Sequence, residues 1–237
     1  MQQKSDNLEL PCAVIFDWDN TLVDTGALID EAINITMAQM GRKNFSSEEI
    51  KNTSHRSMRE YFPSLFGKDW QKAGDIYKNT YSSTKFQKLK LFPDAEKLID
   101  YLHQKNILLF IISNKMGNVL REEVEYFGIR NKFFSVIGAM DAEEDKPSKK
   151  VVELALMGSD IDPKQDLVWF IGDTITDMEC AYNSACQPIL FGEVGESGES
   201  DNLFIAALKE KMQKNKPLLN FKTHQKILDY IINELQI

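Results

Sequence analysis

Five short apolar runs, each stopped by polar or turn residues, constrain the fold of this chain more than any other feature. They are AVIF (Ala13–Phe16), ILLFII (Ile107–Ile112), FFSVIG (Phe133–Gly138), LVWFIG (Leu167–Gly172) and PILFG (Pro188–Gly192). Each is short, rich in β-branched or aromatic residues, and almost without polar alternation, which predicts strands buried on both faces. Between them lie stretches with helical spacing. DAEKLIDYLHQKN follows Pro93, GNVLREEVEYFG ends at Gly128, PSKKVVELALMG runs from Pro147 to Gly158, and TDMECAYNSA follows the fourth run. Strands alternating with helices predict an α/β chain with a parallel sheet covered on both sides.

Residues 25–88 break that rhythm. GALIDEAINITMAQMG predicts a helix ending at Gly41. SSEEIKNTSHRSMREYF predicts a second, opened by a capping box between Ser46 and Glu49. DWQKAGDIYKNTYSSTKF predicts a third. The insert leaves through TLVDT and returns through KLKLFPD, so both connections lie at one edge of the sheet. We expect a core domain of residues 1–24 and 89–237, and an all-helical cap domain of residues 25–88 able to close over the first strand. EVGESGESDN (193–202) predicts a loop, and HQKILDYIINELQI a helix packed back on the core.

The chain has 237 residues, 43% hydrophobic, and a net charge of −8. That balance argues against nucleic acid or an anionic membrane as partner. MQQKSDNLEL lacks the apolar core of a secretory signal, and no run is long enough to span a bilayer. Cys12, Cys180 and Cys186 are few, odd in number and without zinc-site spacing. Reduced thiols and a cytoplasmic setting are expected.

In an open parallel sheet, ligands bind beyond the carboxyl ends of the strands. The first run is followed by Asp17 and Asp19, the second by Ser113, Asn114 and Lys115. The third leads to Lys146, and the fourth to Asp173 and Asp177. Carboxylates this close repel one another unless a cation collects them. Asp17, Asp173 and Asp177 form an oxygen donor set suited to Mg2+, which admits a phosphate dianion to an otherwise repulsive site. Ser113 and Lys146 are then candidates for binding the phosphate oxygens.

In their order, DWDNTLVD, IISN, DKPS and FIGDTITDMECA resemble the four motifs of the haloacid dehalogenase-like hydrolases, covering about residues 12–192. The helical insert resembles the C1 cap of that family's subfamily IA, and the whole is similar to its phosphoglycolate phosphatase branch. The resemblance implies a Rossmann-like core and a Mg2+-dependent phosphatase acting on a small phosphorylated metabolite. Asp17 is then the nucleophile and forms an aspartyl-phosphate. Asp19 is the general acid and base, its carbonyl also a metal ligand. Ser113, Asn114 and Lys146 bind phosphate, Lys146 also holds Asp17, and Asp173 and Asp177 hold the metal. Asp19 itself favours phosphate esters, because true dehalogenases lack that second carboxylate. The pattern departs at Lys149, where a second proline is frequent, and at Ala185-Cys186, where Ala-Gly is common. Neither change removes a catalytic group.

Plainer roles exist for each residue: a solvated turn for the two aspartates, a cap for Ser113-Asn114, a surface lysine for Lys146. Four segments converging in order argue against them jointly. Trp18 is expected to pack. Arg56 is the cap's candidate for substrate contact, ahead of His55. His103 and His224 read as surface histidines, and Cys180 and Cys186 as thiols without a redox role. The rival functions are a phosphomutase like β-phosphoglucomutase and a non-catalytic binding or regulatory protein. A monomer or a homodimer is expected.

Overall fold

The computed structural model describes residues 10–47, 49–50, 56–192 and 219–235. Its strands are β1 (Ala13–Phe16), β2 (Val23–Asp24), β3 (Lys90–Leu91), β4 (Leu108–Met116), β5 (Ser135–Ala139), β6 (Val168–Gly172), β7 (Gln187–Phe191) and β8 (Leu219–Phe221). Six form one sheet in the order β5-β4-β1-β6-β7-β8, and every adjacent pair is parallel. The chain crosses from β1 to β4 and β5 on one side, then returns to lay β6 on the other. The strand order therefore reverses at β1, where such sheets open a crevice for ligands.

The apolar runs bury both faces as their composition requires. Ala13 and Ile15 of β1 pack with Phe110, Ile112 and Phe170 against the Lys149–Leu156 and Ile175–Asn183 helices. Val14 and Phe16 point the other way, into a core shared with Leu98, Leu102, Leu120, Val124 and Ile231 from the Ala95–Gln104, Gly117–Tyr126 and His224–Glu234 helices. Among the described residues, no helix is long and apolar enough to cross a membrane.

The insert is helical, as expected, with helices Gly26–Gln39, Met58–Phe66 and Trp70–Lys88. The first runs along the third. Rings of Phe62, Phe66 and Tyr77 meet edge to face. The Ser46–Glu49 capping box forms, with the Ser46 N–H donating to Glu49 Oε2 at 2.7 Å and the Glu49 N–H to Ser46 Oγ at 3.2 Å. The Met58 helix starts afresh after an extended Ser57. His55 and the 193–202 stretch lie outside the described residues.

Four features differ from expectation. The two stems of the insert pair as an antiparallel ribbon, Val23 with Leu91 and Asp24 with Lys90. The sheet gains β8, whose partly polar sequence LNF gave no apolar run. His224 is buried, not on the surface: its ring lies 4.3 Å from that of Phe191, and burial pushes its pKa down to about 4. The comparison at Ala185-Cys186 also shifts by one residue. Ala185 carries φ 58, so Ala185, not Cys186, occupies the left-handed position that favours glycine after a helix.

Candidate active site

Asp17 is the first residue past β1, and its N–H donates to the Ile171 carbonyl of β6 at 2.8 Å. The chain then turns sharply. The Trp18 carbonyl accepts from the N–H groups of Leu22 at 3.0 Å and Val23 at 3.1 Å, and Asn20 takes φ 57. This turn brings the Thr21 hydroxyl back to 3.4 Å from Asp17 Oδ2 and 3.3 Å from Asp173 Oδ1. The spacing DxDxT thus places one hydroxyl between two carboxylates from different strands.

Asp173 and Asp177 follow β6. Asp177 sits in the first turn of the Ile175–Asn183 helix, where its Oδ2 accepts from the Thr174 N–H at 3.0 Å and the Thr174 hydroxyl at 2.6 Å. Gly172 makes room for it: a Cβ there would lie 2.4 Å from Asp177 Cβ. Lys146 reaches the same point from the loop after β5. Its ammonium donates to Asp17 Oδ1 at 2.5 Å and Asp177 Oδ1 at 2.6 Å.

The Lys146 backbone is clamped by Asn114, whose Oδ1 accepts from the Lys146 N–H at 3.0 Å and whose Nδ2 donates to the Lys146 carbonyl at 3.2 Å. Ser113 is buried beside it, where the β4–β5 register shifts between Ile112 and Met116. That irregularity lets consecutive residues of one strand leave the regular pleat.

Carboxylate oxygens of Asp17, Asp173 and Asp177 all lie within 4.8 Å of one another. Burial pushes Asp17 up to about 7, against the pull of Lys146 and with the help of Asp177 and Asp19. Asp173 is raised well above the usual carboxylate range, first by burial and then by Asp17 and Asp177. Lys146 moves up despite burial, because Asp17 and Asp177 outweigh it. Three carboxylates against one ammonium leave a buried negative excess. An all-oxygen donor set with that excess fits a hard divalent cation.

Asp19 stands apart from that trio. Its Oδ1 accepts from Lys115 Nζ at 2.6 Å. The same ammonium donates to Tyr81 Oη at 2.6 Å and to Glu123 Oε2 at 2.8 Å. Trp18 is fully buried, as expected of a packing residue, and its Nε1 donates to the same Glu123 oxygen at 2.8 Å.

The inserted helices also meet the core through Arg59. Its Nε donates to Asp145 Oδ2 at 2.6 Å and one terminal nitrogen to Asp145 Oδ1 at 2.7 Å. Lys85 pairs with Glu122. Arg56, one turn earlier than Arg59, is exposed.

A model of the haloacid dehalogenase-like hydrolase family matches residues 14–191. The chain belongs to this family. It is therefore a hydrolase, with residues of all four sequence motifs brought together beyond the carboxyl end of β1. It is 26% identical over 227 residues to the pyrophosphatase PpaX of Oceanobacillus iheyensis, covering 94% of this chain and 92% of that protein. It is 21% identical over 180 residues to the phosphoglycolate phosphatase of Aquifex aeolicus, covering 75% and 83%. A crystal structure of a hydrolase of this superfamily from Ehrlichia chaffeensis shares 33% identity and superposes with a TM-score of 0.62, covering 97% of this chain and all of that one.

Sequence reasoning placed Lys115 at the ligand end of the sheet without a role, and missed Thr21, Glu123, Arg59 and Asp145 as members of this polar network. Thr21 lay inside the quoted motif, and Lys115 directly after Asn114. Glu123 and Arg59 sit on helices, and Arg59 is revealed only by a partner 86 residues away.

Proposed function

We propose that this hydrolase is a Mg2+-dependent phosphatase that removes the phosphoryl group of a small phosphate monoester through an aspartyl-phosphate. The observation that carries the proposal is the buried Asp17, held at Oδ1 by Lys146 beside Asp173. Such a carboxylate is positioned for attack and is shielded from bulk water. When bound by Asp17, Asp173, the Asp19 carbonyl and, directly or through water, Asp177, Mg2+ supplies charge that offsets the carboxylates and the phosphate dianion.

Asp17 forms the new P–O bond as the ester P–O bond breaks. The leaving oxygen takes the electron pair and a proton from Asp19, and departs as an alcohol. Asp19, now ionised, takes a proton from water as that water's oxygen attacks phosphorus. The Asp17 carboxylate and inorganic phosphate are released. Lys146 and Ser113 meet charge developing on the phosphoryl oxygens. Asn114 serves them by fixing the Lys146 backbone. Residues 25–88 act as the cap, with Arg56 contacting an acidic leaving group. The cytoplasm is where we place the enzyme, on three cysteines that form no disulfide with one another.

The test is a panel of phosphate esters with Mg2+, including 2-phosphoglycolate, together with the anhydride pyrophosphate, the two compounds that the relatives' names contain. At least one small monoester should be turned over. Acid quench should leave the phosphoryl group on the Asp17 peptide by mass spectrometry. Turnover that survives Asp17→Asn near the wild-type rate refutes the covalent route.

A further inference from the structure

We propose that Lys115 is a positioning residue for Asp19, and that Tyr81 makes its hold depend on the seating of the inserted helices. The proposal rests on the reading of Asp19 as the proton-transferring group.

An ammonium has three N–H donors, and Lys115 has three acceptors within 2.8 Å: Asp19 Oδ1, Tyr81 Oη and Glu123 Oε2. The side chain is 7% exposed, and Glu123 is fully buried. With every donor engaged, this lysine is not arranged to bind substrate. Its effect is to fix one oxygen of Asp19 by a charge-assisted bond, which leaves Oδ2 to exchange protons with leaving group and water. The hold extends to the backbone, because the Glu123 oxygen that anchors Lys115 also accepts from Trp18, the residue between Asp17 and Asp19. Lys115 is fastened at its own N–H, which donates to Ser113 Oγ at 3.2 Å. One cluster therefore ties the nucleophile's neighbour, the proton-transferring carboxylate and the candidate phosphate-binding serine into a fixed relation.

Tyr81 belongs to the inserted Trp70–Lys88 helix, whereas Lys115, Glu123 and Asp19 belong to the core. Burial, then the charges of Asp19 and Glu123, push the Tyr81 phenol far above its usual range, so it stays protonated and neutral. Moving the helix away takes one acceptor from Lys115 and frees the ammonium to shift Asp19. A buried group of two carboxylates and one ammonium is a poor way to stabilise a fold. Its contact with Asp19 gives it a catalytic purpose.

The test compares Tyr81→Phe, which keeps the ring, with the double variant Lys115→Met/Glu123→Gln, which leaves no lone carboxylate buried. Each is assayed for kcat and KM on p-nitrophenyl phosphate and on an alkyl phosphate, beside Asp19→Asn. An alkyl leaving group needs protonation, and p-nitrophenolate hardly does. The double variant should lose about ten- to a hundredfold in kcat on the alkyl ester, the worth of a small misplacement. It should lose little on the aryl ester, with KM near wild type for both. Tyr81→Phe should show the same selectivity in smaller degree. Equal losses on the two esters, or none, overturn the proposal. If the double variant does not fold, Tyr81→Phe alone decides by the same criterion. If Asp19→Asn shows the alkyl-selective loss and the other variants do not, only the positioning role fails. If Asp19→Asn itself lacks it, the reading of Asp19 falls and the proposal with it.

Discussion

Asp17→Asn should end turnover and make the metal-free protein more stable. Asp17 is 5% exposed, and its carboxyl titrates near 7 instead of 3.8. A folded-state pKa above the unfolded one means that the fold holds this proton more tightly. The resulting stability is complete at low pH and is lost as pH rises from about 4 to about 7. Above that window the ionised carboxylate costs the fold about 4 kcal/mol. An asparagine of the same shape escapes the penalty. Lys146 then loses one of its two carboxylates and returns part of the gain, while Asp177 still accepts from it at 2.6 Å. A net gain of about 1–3 kcal/mol corresponds to a rise of about 2–10 °C in Tm for a chain of this size. Thermal melts followed by circular dichroism in EDTA, at pH 5 and pH 8, measure it. The variant should melt higher at pH 8, and the gap should narrow at pH 5, where Asp17 is protonated in the wild type. Saturating Mg2+ should reverse the order, because the wild type keeps the complete carboxylate set and gains more from the ion. A variant that melts lower at pH 8 in EDTA, or a gap unchanged between the two pH values, contradicts the argument.

Activity should vanish in EDTA and return with Mg2+, while Ca2+, which takes more oxygens in looser geometry, should restore it poorly; equal rates with the two ions refute the metal assignment. Asn114→Ala removes both bonds to the Lys146 backbone and should lower kcat by about ten- to a hundredfold through misplacement of Lys146, with KM little changed in steady-state assays. Arg59→Ala leaves buried Asp145 with the Met140 N–H at 2.9 Å and should cost about 1–3 kcal/mol, read from the urea midpoint. Arg56→Ala should leave that midpoint unmoved and raise KM for an acidic substrate but not for a neutral leaving group. Ala185→Gly relieves a left-handed alanine and should stabilise by about 1 kcal/mol, seen as a Tm rise of a few degrees.

The sheet was legible because burial on both faces writes itself as an uninterrupted apolar run. β1 matches AVIF residue for residue. The insert was legible by contrast, since its helices lack such runs. What escaped lay where pairing does not depend on apolar content. The β2–β3 ribbon is two residues long on each strand, and β8 alternates around Asn220, whose side chain donates to the Leu190 and Gly192 carbonyls. His224 looked like a surface residue because it opens a helix. Its neighbours Phe92 and Phe191 come from elsewhere in the chain and bury it.

The site divides in the same way. Asp17, Ser113, Lys146 and Asp173 could be read because each comes after an apolar run, although Ser113 lies inside β4 at its register shift, and the end of a parallel strand is where side chains are delivered to a ligand. Asp19 was read for its place beside Asp17, but the group that holds it was not. Lys115 lies 96 residues away, and Glu123 is 105 residues from Trp18. Yet one trace of that group is present in the helix itself. In GNVLREEVEY the buried positions are Gly117, Leu120, Glu123 and Val124, the spacing of an apolar stripe. A glutamate on that stripe cannot face solvent, and a buried carboxylate needs a cation. Arg121 and Arg130 are nearer in sequence but are engaged elsewhere, by Asp141 and by the Phe133 carbonyl, and Lys115, two residues before the helix begins, comes next. A charge out of phase with its helix therefore points to a partner, and here that partner is the lysine that grips Asp19.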